Sequence, residues 1–392
     1  VLSLYLIIQY HLNIKKSIKA VKKNIFLLGL YFSFFLSCLW SYNPKNTLSS
    51  SFWASIFLGC YFIFYFAAKK YDFKKLDMIY IILPVFLSIL NIIFLIKYGR
   101  LRGDGSYSNH MAAMVEVAIP FLLYKIRIDY KNKMIWVALF LTVFSLIISE
   151  SRGSYLILLC SFFIVPFFWG RSFKHLVKYF VYSLIVLSLT IFVLFNFPYV
   201  EKYINNVSKR IDKSYSQFNL GKVFSSGKIT KVRRDGITKR MIQYHMGINT
   251  IRHHPFIGIG YDSYRQYMKE EYHLAKGKAK ISHNVFFTVW TSSGLLGMFC
   301  LMGVLFSAFN NLKKEYFYYK ELNREYTYWI MANFFALLIL LLHGQFRPLL
   351  TNVMFYLPLA AAVAMGADEE NNQREGKREA RTVQYWNQIE KK

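Results

Sequence analysis

The feature that most constrains this chain is a repeated one. Apolar runs of about 17 residues or more, each long enough to cross a bilayer as a helix, recur along nearly the whole sequence. They fall at about 25–42, 51–68, 77–98, 109–124, 134–150, 153–169, 177–197, 285–307, 326–343 and 348–366, and residues 1–10 read as the tail of another. The composition agrees: 55% of residues are hydrophobic and 19% aromatic, with a mean hydropathy of +0.27, which is more apolar than soluble domains are. The expected fold is an all-α polytopic membrane protein of about 10–12 transmembrane helices. The first residue is Val1 rather than Met, so the reading expects a truncated N-terminus, and no signal peptide can be judged from it.

The connectors alternate in charge. Segments 11–24, 69–75, 125–133, 171–178 and 312–325 are basic, whereas 43–50, 99–108, 150–152, 198–284 and 344–347 make up the other set. The positive-inside rule puts the first set in the cytoplasm and the second outside. The large outer loop, 198–284, is itself basic, with 17 Lys and Arg against 6 Asp and Glu. Loops beyond about 60 residues translocate largely regardless of charge, so the topology stands. The loop's charge suits either anionic headgroups or a polyanionic lipid substrate. The net charge of +28 does not point to nucleic acid, because the Lys and Arg lie between spans. The expected organisation is an N-terminal transmembrane bundle (1–197), the outer loop (198–284), C-terminal transmembrane helices (285–366) and a polar cytoplasmic tail (367–392). Cys38, Cys60, Cys160 and Cys300 lie in apolar runs without ligand spacing and read as packed thiols.

Groups able to do chemistry gather on the outer side. Thr238 is expected to cap a helix running to about His253, which sets Arg240, Tyr244, Gly247 and Ile251 on one face. Pro255 stops that helix, and Gly258 and Gly260 permit a tight corner. An arginine fork matches phosphate geometry and stays charged, although Arg240 alone also reads as a surface charge. Arg152, in the bend Ser151-Arg152-Gly153, either pairs with Glu150 or meets an anion. Arg100 and Arg102 precede a span that Ser108 or Asn109 can cap, so a helix N-terminus and two cations make an anion site. Glu116 inside that span is an intramembrane carboxylate, a candidate for function. Arg347 adds a cation between the last two spans. His283 can accept a proton from a hydroxyl, with His253, His254 and His273 as rivals, and Asn284 either orients it or begins the next helix. The sequence carries no metal-ligand cluster, no P-loop and no paired acidic motif for a metal–nucleotide sugar. No metal and no cofactor are therefore expected.

Taken together, this pattern resembles the O-antigen ligase and O-antigen polymerase superfamily of bacterial envelope enzymes. The resemblance rests on Arg100–Gly103 and Asn109–Ala112, Ser151-Arg152-Gly153, Arg240-x-x-x-Tyr244, Pro255-Phe256-Ile257-Gly258-Ile259-Gly260, His283-Asn284 and Gly294-x-x-Gly297. It implies a multi-pass protein of the bacterial inner membrane whose large periplasmic loop contains helices. It implies a glycan donor linked to undecaprenyl diphosphate, with either lipid A–core or a second lipid-linked glycan as acceptor. Carried across, Arg152 and Arg240 bind the donor diphosphate, with Arg100 and Arg102 beside them. His283 activates the acceptor hydroxyl, and Tyr244, Asn284, Glu116 and Arg347 support the site. Two departures stand out: Lys280-Ile281-Ser282 lacks the second histidine of some members, and Val285 follows Asn284 where some ligases carry an acid. A repeat-unit polymerase is the alternative within the family. A lipid-linked glycan transporter, with ionisable groups near the bilayer centre, and a non-catalytic glycan-binding scaffold are the alternatives outside it.

Overall fold

The computed structural model describes residues 20–98, 105–149, most of 153–161, four isolated positions between 177 and 188, and residues 236–271, 284–345 and 349–365. Among these it is all helix and turn. In chain order the helices are α1 (Ile25–Leu36), which runs on as the 3₁₀ turn Ser37–Trp40, α2 (Pro44–Lys70), α3 (Phe73–Tyr98), α4 (Gly105–Glu116), α5 (Ala118–Ile128) and α6 (Lys133–Ile148). They continue with α7 (Gly236–His253), α8 (Tyr264–Glu271), α9 (Val285–Tyr319), α10 (Arg324–His343) and α11 (Val353–Met365).

Among the described residues α2, α3, α9 and α10 are each long and apolar enough to cross a membrane. At about 1.5 Å per residue, the 20 residues of α10 span about 30 Å, the thickness of a hydrocarbon core. Their outward faces are apolar as well: Phe306 of α9 is 74% exposed and Phe52 of α2 63%. In water such faces would be a liability, and against lipid they are the expected solution. The chain is an all-α, multi-pass membrane protein.

The packing forms two adjoining groups. Helices α1, α2, α9, α10 and α11 share the larger core, and α4, α5 and α6 build the smaller one against α3. Buried polar contacts stitch the groups together. Tyr80 of α3 stacks on Phe121 of α5 at 3.9 Å and donates from its hydroxyl to Asn333 Oδ1 of α10 at 2.9 Å. Asn333 in turn donates to the Pro358 carbonyl of α11 at 3.1 Å. Three basic connectors, 69–75, 125–133 and 312–325, share one end of the bundle: Lys125 pairs with Asp77 at 2.5 Å, Lys74 with Glu325 at 3.1 Å, and Arg127 lies over the Tyr328 ring.

Several helix boundaries differ from those read from hydropathy. The span expected at 109–124 is two helices, α4 and α5, broken at Val117. Pro120 is the physical reason, because its ring excludes the carbonyl four residues back, that of Glu116. Helix α4 starts at Gly105, so Ser108 and Asn109 lie within it rather than capping it. Likewise α7 starts at Gly236, which places Thr238 inside the helix. Helices α2 and α9 extend past their apolar runs through polar turns.

Candidate functional site

The organising contact lies at the end of the bundle away from the Lys74 and Lys125 ion pairs, between the Pro/Gly corner after α7 and a break in α9. Gly294 interrupts α9 with φ +64° and ψ −152°. The normal bond from Leu295 N–H to the Thr291 carbonyl is thereby lost, and the corner supplies both replacements. Ile259 N–H donates to Thr291 O at 2.7 Å, and Leu295 N–H donates to Phe256 O at 3.0 Å. Gly260 N–H adds a bond to Ser292 O at 3.0 Å, and Trp290 Nε1 reaches Pro255 O at 3.0 Å. The approach excludes side chains: a Cβ on Gly258 (φ +69°) would lie 2.6 Å from Thr291 O, and one on Gly294 would collide with Phe256 O. The Pro-Phe-Ile-Gly-Ile-Gly and Gly-x-x-Gly motifs are thus two halves of one backbone joint. The end of α1 completes it, with Trp40 Nε1 on Ile257 O at 2.7 Å and Tyr261 stacked on Phe34 at 4.2 Å. Burial, reinforced by Asp262, pushes the Tyr261 phenol above its ordinary pKa.

This joint sets the direction of α7. The helix ends at His253, before Pro255, and is braced by α8 through Tyr264, whose hydroxyl donates to Gln243 O at 3.1 Å. Met246, Ile259, Tyr264, Tyr267 and Met268 form a small core beneath it. Tyr244 and Gly247 both face Phe287 of α9. The Tyr244 and Phe287 rings meet edge-on at 5.5 Å, and a Cβ at Gly247 would lie 3.5 Å from the Phe287 ring.

Gln345, just past α10, gathers the ends. Tyr244 donates its hydroxyl proton to the Gln345 carbonyl at 2.5 Å. Asn284 Nδ2 donates to Gln345 Oε1 at 2.7 Å. The Asn284 Oδ1 caps α9 by accepting from Phe286 and Phe287 N–H at 2.9 and 3.1 Å, the usual N-cap geometry. Val285 N–H meets the Gly344 carbonyl at 2.8 Å. Two residues before Gln345, His343 Nδ1 and Glu116 Oε2 lie 3.0 Å apart. Both side chains are buried, at 1% and 0% exposure, and Glu116 Oε1 and His343 Nε2 have no partner among the described residues.

Of the residues singled out in the sequence, the structure brings Tyr244, Asn284 and Glu116 to this junction. Arg240 lies one turn before Tyr244 in α7, with its side chain outside the described residues. Arg100, Arg102, Arg152, His283 and Arg347 lie outside them too. Sequence reasoning missed His343 and Gln345. The first looked like the last residue of an apolar span and the second like part of a short connector. The available signal was an ionisable residue inside a span. Among the described residues no group of three or more His, Cys, Asp or Glu side chains gathers as a metal site.

The O-antigen ligase family model matches residues 137–302, which takes in α7, the corner, α8 and both arms of the break in α9. Residues 137–302 are similar to the O-antigen ligase family. The family's chemistry is glycosyl transfer in polysaccharide biosynthesis. The joint and the Arg240 helix fall inside the O-antigen ligase segment, whereas Glu116, His343 and Gln345 reach it from outside. No curated protein matches the chain.

Proposed function

We propose that the chain transfers a glycan from undecaprenyl diphosphate to an acceptor sugar, as an O-antigen ligase acting on lipid A–core at the periplasmic face of the inner membrane. The observation that carries this reading is the Gln345 junction within a chain similar to this family. It holds Tyr244, one turn from Arg240, and Asn284, the residue after His283, on one anchor. Residues i and i+4 share a helix face, so Arg240 belongs to the face that meets α9. A phosphate-binding cation and a proton acceptor are then carried by adjacent elements in the basic outer loop, 198–284.

The reaction follows from these roles. The acceptor hydroxyl attacks the anomeric carbon with inversion while His283 takes its proton. The glycosidic oxygen leaves with undecaprenyl diphosphate, and Arg152 and Arg240 meet the charge growing there, with Arg100, Arg102 and Arg347 on the same outer side. Each preorganised donor contributes about 3–4 kcal/mol to such a transition state, and no metal or nucleotide takes part.

The test is a proteoliposome assay with undecaprenyl-diphosphate-linked glycan and lipid A–core, without metal or nucleotide. Glycan on lipid A–core is the expected product. Lengthening of the lipid-linked glycan would make the chain a polymerase, and failure to form either product would overturn the transfer reading.

A further inference from the structure

The opposite end of the bundle holds a cavity of about 240 Å³, formed by the α2–α3 turn and the ends of α9, α10 and α11. Its wall is aromatic, with Tyr71, Phe73, Tyr319, Tyr326 and Trp329 among its lining residues. The rings pack on one another, Tyr319 on Tyr326 at 4.6 Å and Phe73 on Tyr326 at 5.0 Å. Two carboxylates line the same space, Asp72 and Glu315, and Glu315 is only 7% exposed. Lys69 also lines it, and Lys70 and Lys75 stand over the Tyr71 ring at 5.6 and 5.7 Å.

This lining selects a ligand chemistry. Aromatic faces and carboxylates both attract a cation, so the interior favours an ammonium over an anion. The lysines at the mouth favour a phosphate there. A cation held next to a phosphate is the signature of a zwitterionic headgroup. The volume falls below the roughly 300 Å³ at which drug-sized pockets begin, a size that suits a small headgroup. The position fits as well: α10 separates this cavity from Gln345 by about 30 Å, one hydrocarbon thickness, which puts the cavity at headgroup depth.

We propose that this pocket binds the headgroup of an amine-bearing phospholipid, with the ammonium among the rings and the Asp72 and Glu315 carboxylates and the phosphate at Lys69. A primary ammonium has three N–H donors for those carboxylates, whereas a trimethylammonium has none, so phosphatidylethanolamine is preferred over phosphatidylcholine. The site is separate from the transfer site, and it stands whether or not the chain moves glycan.

Native mass spectrometry of the full chain in detergent, titrated with single phospholipids, tests it. Phosphatidylethanolamine is expected to bind about thirtyfold more tightly than phosphatidylglycerol, the scale of one desolvated cation–π contact. Glu315→Gln and Asp72→Asn should each erode that preference. Glu271→Gln, an equal charge change at the other end, should leave it intact. Because Asp72 is exposed, its variant keeps the test valid if Glu315→Gln does not fold. Equal or tighter phosphatidylglycerol binding, or a preference unchanged in Asp72→Asn, would overturn the proposal. Glycerophosphoethanolamine binding as tightly as the lipid would replace the lipid with a soluble ligand and overturn it too.

Discussion

Gln345 uses its backbone and its side chain on different elements, accepting from Tyr244 of α7 with one and from Asn284 of α9 with the other. Removing the Tyr244 hydroxyl leaves the ring contact with Phe287 in place. Tyr244→Phe is therefore expected to cost about 1 kcal/mol of stability, the usual worth of one hydrogen bond, read as a small drop in Tm. The same variant should lower transfer by more than that stability change predicts, since it loosens the turn that carries Arg240. The buried Glu116–His343 pair behaves differently. Taking away one member of a buried pair strands the other, at about 3–5 kcal/mol. Glu116→Ala and His343→Ala should each lower the Tm strongly, and the double variant should lose less than the two together. A fully additive loss would show that the two side chains do not depend on each other. This pair was half legible: Glu116 stood out as an intramembrane carboxylate, but its partner lies 227 positions away, and nothing in local spacing names such a partner.

At the scale of elements, the joint between the corner and the broken α9 makes the sharpest demand on sequence. Gly258→Ala and Gly294→Ala each force a side chain into positive φ and into backbone atoms. Each should destabilise by more than the roughly 1–2 kcal/mol of the left-handed conformation alone. Gly59 in α2 is the control, since a Cβ there meets nothing within 4 Å. Gly59→Ala should be neutral or stabilise by up to about 1 kcal/mol. Thermal unfolding in detergent checks both, and a Gly294→Ala protein as stable as the parent would contradict the joint. The glycines were visible in the sequence as two separate motifs, but their docking was not, because close approach between residues more than 30 positions apart leaves no periodicity. The helix ends were misread for a simpler reason. Hydropathy marks where lipid contact stops, and hydrogen bonding carries α2, α4 and α9 further. Pro120 was readable as a break and was passed over inside an apolar run.

On the scale of the whole molecule, the bundle has two chemically different ends. The Lys74 and Lys125 ion pairs and the aromatic cavity occupy one, and the α7–α9–α10 junction occupies the other. The apolar runs announced the membrane fold, and the alternating charge of the connectors anticipated that the basic turns at 69–75, 125–133 and 312–325 share an end. Arg240 and His283 are proposed to serve one reaction centre held by the Gln345 junction. The direct measurement is the transfer rate of Arg240→Ala, His283→Ala and the double variant, in proteoliposomes matched for folded protein. Each single variant is predicted to lose about 10²–10⁴-fold. The double variant should be little worse than the slower single one, because residues acting as a unit are strongly non-additive. Losses that multiply in full, or a well-folded Arg240→Ala protein that transfers at the parental rate, would contradict it.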